Sequence, residues 1–181
     1  MNISFFPTWL KSQIRPTPYL VNLIVTPRCN ARCVYCNMWQ IKNQNELSHN
    51  QLLLLFKELR DTCFLSLGGG EPFLREDLKL ITESACDTIK GLYSVGISTN
   101  GILTDKIADF VLWYVSHDWP KLILGISIDG ILSFHDRMRG AGVFVNAIRT
   151  YQEVFALQKN HDGVELHVNY LINPENVGNL E

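Results

Sequence analysis

The 181-residue sequence predicts an α/β fold, a partial parallel (β/α) barrel of the TIM-like kind with about five βα units visible, and three observations point there. Short apolar, strand-like runs alternate with segments of helical period, the pattern of strands joined by crossover helices. Each of the first four runs ends in a small, polar or glycine-rich stretch. No linker, repeat or low-complexity tract divides the chain, so a single core is expected. In a barrel the C-terminal strand ends converge on one axis, whereas an open doubly wound sheet concentrates its site at one switch point. Four successive polar strand ends favour the barrel or an arc of one.

The strands are expected over residues 19–26, 63–67, 93–98, 122–127 and 164–171. Four helices lie between them. The first begins at Ser48, whose Gln51 three residues on fits a capping box, and carries Leu52, Leu55, Phe56 and Leu59 inward. The second has Leu78, Ile81, Ala85 and Ile89 at helical spacing and stops before Gly91. The third is capped by Thr104 and buries Ile107, Phe110, Val111 and Tyr114. The fourth presents Phe144, Ile148, Tyr151 and Phe155. Residues 1–18 are expected to form an N-terminal extension in which Phe5, Phe6, Trp9 and Leu10 pack on the domain body, with the core over 19–181.

Bulk properties narrow the chemistry. A hydrophobic fraction of 46% and a charged fraction of 19% belong to a folded globular protein. The net charge of -2, with no Lys/Arg-rich run, leaves no footprint for general nucleic-acid binding. The N-terminus lacks a signal-peptide pattern, and no apolar run approaches the roughly 18 residues of a membrane span. A cytoplasmic location is expected. Five cysteines, an odd number without secretory context, argue against a disulfide framework.

Cys29, Cys33 and Cys36 form a Cys-x3-Cys-x2-Cys run on the loop after the first strand. Structural zinc takes four protein ligands, usually in paired knuckles, and three thiolates leave one position open. A [4Fe-4S] cluster held by three of its four corners keeps one iron for another ligand. Zinc would need a fourth ligand from Cys63, Cys86 or His49, none of which lies in a second knuckle. Cys63 and Cys86 fit as small buried hydrophobes.

Three further segments follow the next strand ends: Gly68-Gly69-Gly70-Glu71-Pro72, Ser98-Thr99-Asn100-Gly101, and Ser127-Ile128-Asp129-Gly130 with His135-Asp136 and Arg139-Gly140. With the cysteine loop, in this order, they resemble the radical S-adenosylmethionine (radical SAM) enzymes over about residues 21–171, in the style of the peptide- and cofactor-modifying branch. The resemblance implies a [4Fe-4S] cluster on Cys29, Cys33 and Cys36, with S-adenosylmethionine chelating the fourth iron. It implies that backbone at Gly69 and Gly70 approaches that ligand, and that Glu71 accepts from its amine. It places Tyr35 near adenine, Ser98, Thr99 and Asn100 at the nucleoside, Ser127 and Asp129 at ribose hydroxyls or the methionine part, and Arg139 at the methionine carboxylate, with Arg137 as the competing choice. His135 is given no fixed role, and a local hydrogen bond is expected of it.

The implied activity is reductive cleavage of S-adenosylmethionine to a 5′-deoxyadenosyl radical that removes a substrate hydrogen. A flavodoxin or ferredoxin-type reductant is the implied partner, and the substrate is a small molecule or peptide. A noncatalytic Fe-S or electron-transfer module and a zinc-stabilised interaction domain stay open as alternatives. The family's core usually has six βα units, so the domain is expected to be incomplete at its C-terminus. Residues 173–176 are read as the start of a further helix, and the 164–171 strand is expected to have an unpaired edge.

Overall fold

The computed structural model describes residues 17–42 and 45–177. The N-terminal segment with Phe5, Phe6, Trp9 and Leu10 lies outside them. Five strands, β1 (Leu20–Thr26), β2 (Phe64–Gly69), β3 (Ser94–Thr99), β4 (Lys121–Ser127) and β5 (Val164–Asn169), pair in parallel in the order β1-β2-β3-β4-β5. Sheet order that follows chain order means every crossover steps the same way. Right-handed crossovers then put every helix on one face, and the sheet coils around the other, as in a barrel. A doubly wound sheet needs a reversal of strand order, and the described strands have none.

Five helices follow: α1 (His49–Glu58), α2 (Leu78–Thr88), α3 (Thr104–Val115), α4 (Leu132–Arg139) and α5 (Val143–Gln158). Ser48 and Gln51 form the expected reciprocal capping box at the start of α1. Leu65, Leu67, Val95, Ile97, Leu122 and Leu124 point from the sheet into a core completed by Leu52 and Phe56 of α1, Ile81 and Ala85 of α2, and Ile107, Phe110 and Tyr114 of α3. Because side chains alternate along a strand, the other face carries Asn22, Ser66, Ser98 and Ser127, with Gly68, Gly96 and Gly125 between them. Toward the C-terminal strand ends that face is small and polar, whereas Phe64 and Ile123 occupy it nearer the other end.

Three expectations need correction. The inner line of α5 is Val143, Ala147, Thr150 and Val154, not Phe144, Ile148, Tyr151 and Phe155. Small residues are needed there because α5 lies tight on α3: Thr150 Oγ1 donates to the Gly101 carbonyl at 2.7 Å and meets Thr104 Oγ1 at 2.7 Å. The aromatic flank is turned outward, with Tyr151 and Phe155 stacked on each other and Phe155 42% exposed. For the same reason Thr104 does not cap α3. The N-cap position is Leu103, without a side-chain bond, and the Thr104 hydroxyl is spent on Thr150.

Residues 132–139, read only as a motif-bearing segment, are a helix. Its buried residues are His135, Met138 and Arg139, so a search for apolar periodicity passes over it. Residues 174–176 form a turn in which the Asn173 amide donates to Asn176 Oδ1 at 2.7 Å and the Val177 amide donates to the Asn173 carbonyl at 3.0 Å; the rest of the expected helix lies outside the described residues. Among the described residues β5 pairs with β4 alone, leaving its other edge open.

Candidate active site at the C-terminal strand ends

The cysteine loop is fastened at both ends by backbone. At its start the Gly70 and Glu71 amides donate to the Thr26 and Arg28 carbonyls, both at 2.7 Å. At its middle the Arg32 and Val34 amides donate to the Arg139 and Met138 carbonyls at the end of α4, at 3.0 and 2.9 Å. The loop closes with Cys36 N–H on the Cys33 carbonyl and a short 3-10 turn, Met38–Gln40. Two charged residues absent from the sequence-derived site brace its base. Buried Arg75 donates to the Val25 and Leu47 carbonyls and to Asp77. Glu46 accepts from Thr26 Oγ1 and Arg28 Nε; burial opposes its ionisation, but these donors hold its carboxyl below the usual range.

Close approach explains the glycines. A Cβ on Gly70 would stand 2.1 Å from the Arg28 carbonyl oxygen, and one on Gly69, whose φ is +142°, would stand 2.1 Å from that of Thr26. The loops after β1 and β2 therefore touch backbone to backbone, which only glycine permits. The crowding expected against a ligand is thus a crowding against the cysteine loop. Both glycines still line the cavity described below.

Glu71, expected to meet a cationic amine, is 1% exposed and bonded within the protein. It accepts from Thr99 Oγ1 at 2.7 Å, the Asn100 amide at 2.8 Å and the Phe73 amide at 3.3 Å. It ties the end of β2 to the end of β3. With neutral donors only, burial pushes its pKa up to about 7. Asn100 in turn donates from Nδ2 to Asn30 Oδ1 at 2.7 Å and approaches Cys29 Sγ at 3.9 Å.

Asp129, expected at a ribose, is likewise withdrawn, with no exposed surface. Its carboxylate accepts from Arg139 Nε at 2.6 Å, Arg139 Nη2 at 3.1 Å, the Tyr35 hydroxyl at 2.5 Å and the Leu171 amide at 3.0 Å. Burial alone would raise its pKa, but Arg139, Tyr35 and the amide outweigh it and hold the carboxyl below the usual range. Tyr35 is thereby pinned by its hydroxyl, with its ring facing the cavity and the Arg139 guanidinium 5.6 Å from its centroid. Arg137 is exposed and stacks on Phe134 instead, so of the two arginines it is Arg139 that faces the site.

His135 is buried in α4 and accepts from the Asp129 amide through Nδ1 at 3.1 Å. Burial and nearby Arg139 lower its pKa, which suits a neutral structural ring. Two asparagines were not legible as site residues. Asn169 reaches across Gly125 to donate to Ser98 Oγ at 3.2 Å; a Cβ on Gly125 would meet its amide at 2.3 Å. Buried Asn176 donates to the Leu171 and Asp129 carbonyls. Only the register of β3, β4 and β5 reveals the first of these contacts.

These strand ends surround a cavity of about 190 Å³. Cys29, Cys33 and Cys36 line it together with Tyr35, Gly69, Gly70, Ser98, Thr99, Asn100, Ser127 and Arg139, and with Ala31 and Met38, which the sequence had not singled out. Glu71 and Asp129 stand behind its wall. A larger hollow of about 260 Å³ between α2 and α3 carries no cysteine.

Among the described residues no three His, Cys, Asp or Glu side chains converge on a single ion position, and buried Cys63 and Cys86 do not line the cavity. Three soft thiols lining one cavity, with no fourth thiol or imidazole among its lining residues, fit a body with several metal corners better than one tetrahedral ion. Burial pushes the Cys29 and Cys33 thiols up, with Arg139 opposing it at Cys33, so loading such a group releases protons. No helix of the described residues is long and apolar enough to cross a membrane.

Known proteins resemble this chain over most of its length. The Fe-coproporphyrin III synthase of Methanosarcina barkeri is 32% identical over 166 residues, covering 86% of this chain and 37% of that protein. A structure of anSMEcpe with bound AdoMet superposes with a TM-score of 0.64 at 19% identity, over 83% of this chain and 43% of that one. Streptococcus suis SuiB bound to S-adenosylmethionine gives 0.67 at 12% identity, over 97% and 40%. At those identities the structural likeness speaks for the fold, and the chain spans about two fifths of the length of these proteins. The profile of the Radical SAM superfamily matches residues 23–176. A match of that extent, on a parallel sheet with three cysteines in its first βα loop, means that the chain belongs to the radical SAM superfamily, whose members use a [4Fe-4S] cluster and S-adenosylmethionine.

Proposed function

We propose that residues 19–181 are the core of a cytoplasmic radical SAM enzyme, residues 1–18 being an N-terminal extension, and that Cys29, Cys33 and Cys36 hold three irons of its cluster. The observation that carries this reading is the shared cavity, lined by three thiols together with hydroxyls and a guanidinium. When bound, the cluster supplies one electron to S-adenosylmethionine, giving methionine and a 5′-deoxyadenosyl radical that removes a hydrogen from a small-molecule or peptide substrate.

The protein's own part is binding and orientation. Arg139 spends Nε and one Nη2 bond on Asp129. A guanidinium has five N–H donors, so its Nη1 can serve a ligand carboxylate while Asp129 fixes the plane of the fork. Ser98 and Ser127 offer hydroxyls to the nucleoside. Asn100 shapes the wall near Cys29, and the Tyr35 ring closes the side nearest the loop. Asp129 and Glu71 act from behind as positioning residues. A one-electron donor of the flavodoxin or ferredoxin type completes the system.

The test is anaerobic reconstitution with iron and sulfide analysis, followed by measurement of 5′-deoxyadenosine after reduction. Cys33→Ala is expected to lose bound iron and Cys63→Ala to retain it. Equal loss from both variants would overturn the ligand assignment.

A further inference from the structure

Charge is distributed very unevenly along this chain. The first 45 residues contain Lys11, Arg15, Arg28, Arg32 and Lys42 and not one Asp or Glu, although the whole protein is at -2. Three of these basic residues belong to or adjoin the cysteine loop. Arg28 is paired with Glu46, whereas Arg32 and Lys42 are exposed and make no ion pair among the described residues. Apolar side chains lie within the same short segment: Val34 is 65%, Trp39 37% and Ile41 38% exposed.

This patch is a short step from the metal ligands. Arg32 and Val34 flank Cys33 in sequence, and the Trp39 indole N–H donates to the Cys33 carbonyl at 3.2 Å. Cys33 itself is buried. A partner lying on these three residues is therefore separated from a cluster ligand by one peptide unit or one indole ring. Exposed apolar side chains beside cations that make no ion pair among the described residues have the make-up of a protein interface, and the sign of the charge selects an acidic partner through steering and rejection of like charge.

We propose that the outer surface of the cysteine loop, centred on Val34, Trp39 and Ile41 and rimmed by Arg32 and Lys42, is the docking site for an acidic one-electron carrier protein. The proposal rests on the cluster assignment above. In the encounter the carrier is oxidised by one electron and the group held by the cysteines is reduced by one, with no bond made or broken. A membrane of anionic lipid would also answer to positive charge, but the position of the patch over a cluster ligand favours the electron carrier.

The experiment uses the full chain and oxidised bacterial flavodoxin as probe. Binding is followed by flavin fluorescence with and without reconstituted cluster, and cluster reduction is followed by absorbance with either reduced flavodoxin or dithionite. The expected result is that raising salt from about 50 to about 300 mM weakens flavodoxin binding several-fold. Arg32→Glu with Lys42→Glu should weaken it by about tenfold or more and slow reduction by flavodoxin in proportion. Dithionite reduction and iron content should stay as in the parent. Lys57→Glu and Lys90→Glu, exposed at the opposite end of the sheet, should change nothing. Salt-independent binding, unchanged behaviour of the double variant, or binding to phosphatidylcholine–phosphatidylglycerol vesicles but not to flavodoxin would each overturn the docking site. Failure of the parent to retain iron would instead overturn the cluster assignment.

Discussion

Glu71 and Asp129 stand at the ends of β2 and β4, both withdrawn from solvent, and they are stabilised in opposite ways. Glu71 meets a hydroxyl and two backbone amides, and its pKa rises to about 7. Asp129 meets two guanidinium bonds, a phenol and one amide, and its pKa falls. The number of hydrogen bonds is nearly the same. What differs is a cation: neutral donors soften the cost of burying a carboxylate, and an adjacent guanidinium reverses it. The two anchors of the cysteine loop differ accordingly. Near β2 the loop is held by backbone packed against glycine, and near α4 by two backbone bonds together with an ion pair that also clamps Tyr35.

The ion pair gives the largest expected effect. Arg139→Met leaves Asp129 buried without its cation and should lower unfolding free energy by about 3–5 kcal/mol at neutral pH, read by urea denaturation. A loss below about 1 kcal/mol would mean that the pair behaves as an exposed one. In the parent, the contribution of Asp129 is present above its ordinary pKa of 3.8 and is lost as pH falls through its lowered folded value.

Glu71 predicts the reverse pH dependence. Its folded pKa lies above the ordinary 4.5, so the unfolded chain gives up its proton first and stability declines as pH rises from about 4.5 to about 7. Glu71→Gln imitates the protonated side chain and should remove that decline. Near pH 8 the variant should exceed the parent by at most about 3 kcal/mol, at 1.36 kcal/mol per pKa unit. Superimposable pH profiles would show that Glu71 is not held as described.

Gly70→Ala tests the backbone anchor alone. With a methyl group set against the Arg28 carbonyl, the loops must part, at a cost of about 1–3 kcal/mol and with reduced iron retention; unimpaired iron binding would show that the loop has slack. The smallest effect belongs to Asn169→Ala. It removes one hydrogen bond to Ser98, worth about 1 kcal/mol, and should weaken S-adenosylmethionine binding by up to about tenfold while leaving iron content alone. Pairing it with Ser98→Ala in a double-mutant cycle checks the coupling, since the two losses should not add.

Much of this could be read in one dimension. The alternation of apolar runs and helical stripes placed every strand to within two residues at each end, because burial on the helical side imposes periods that survive in sequence. The cysteine loop and the polar strand ends were legible for a related reason: each is a contiguous segment. Helix α4 was not, since its buried face carries His135 and Arg139. The inner face of α5 was misread because side-chain size was taken for burial, whereas Ala147 and Thr150 are small where α5 crosses α3 closely.

The amino-acid sequence by itself determined the parallel sheet, the triad of cysteines on one loop and the polar strand ends that meet at the cavity. The tertiary structure alone decided what each charged group faces. Glu71 and Asp129 look alike as acidic residues after a strand, and nothing local says that one finds only neutral donors and the other a guanidinium ten residues away. The same holds for Gly70, whose need for a missing side chain comes from a carbonyl more than forty positions earlier. Hydrogen bonds and close approach depend on distances of a few ångströms between segments remote in sequence, and those distances exist only once the strands are in register.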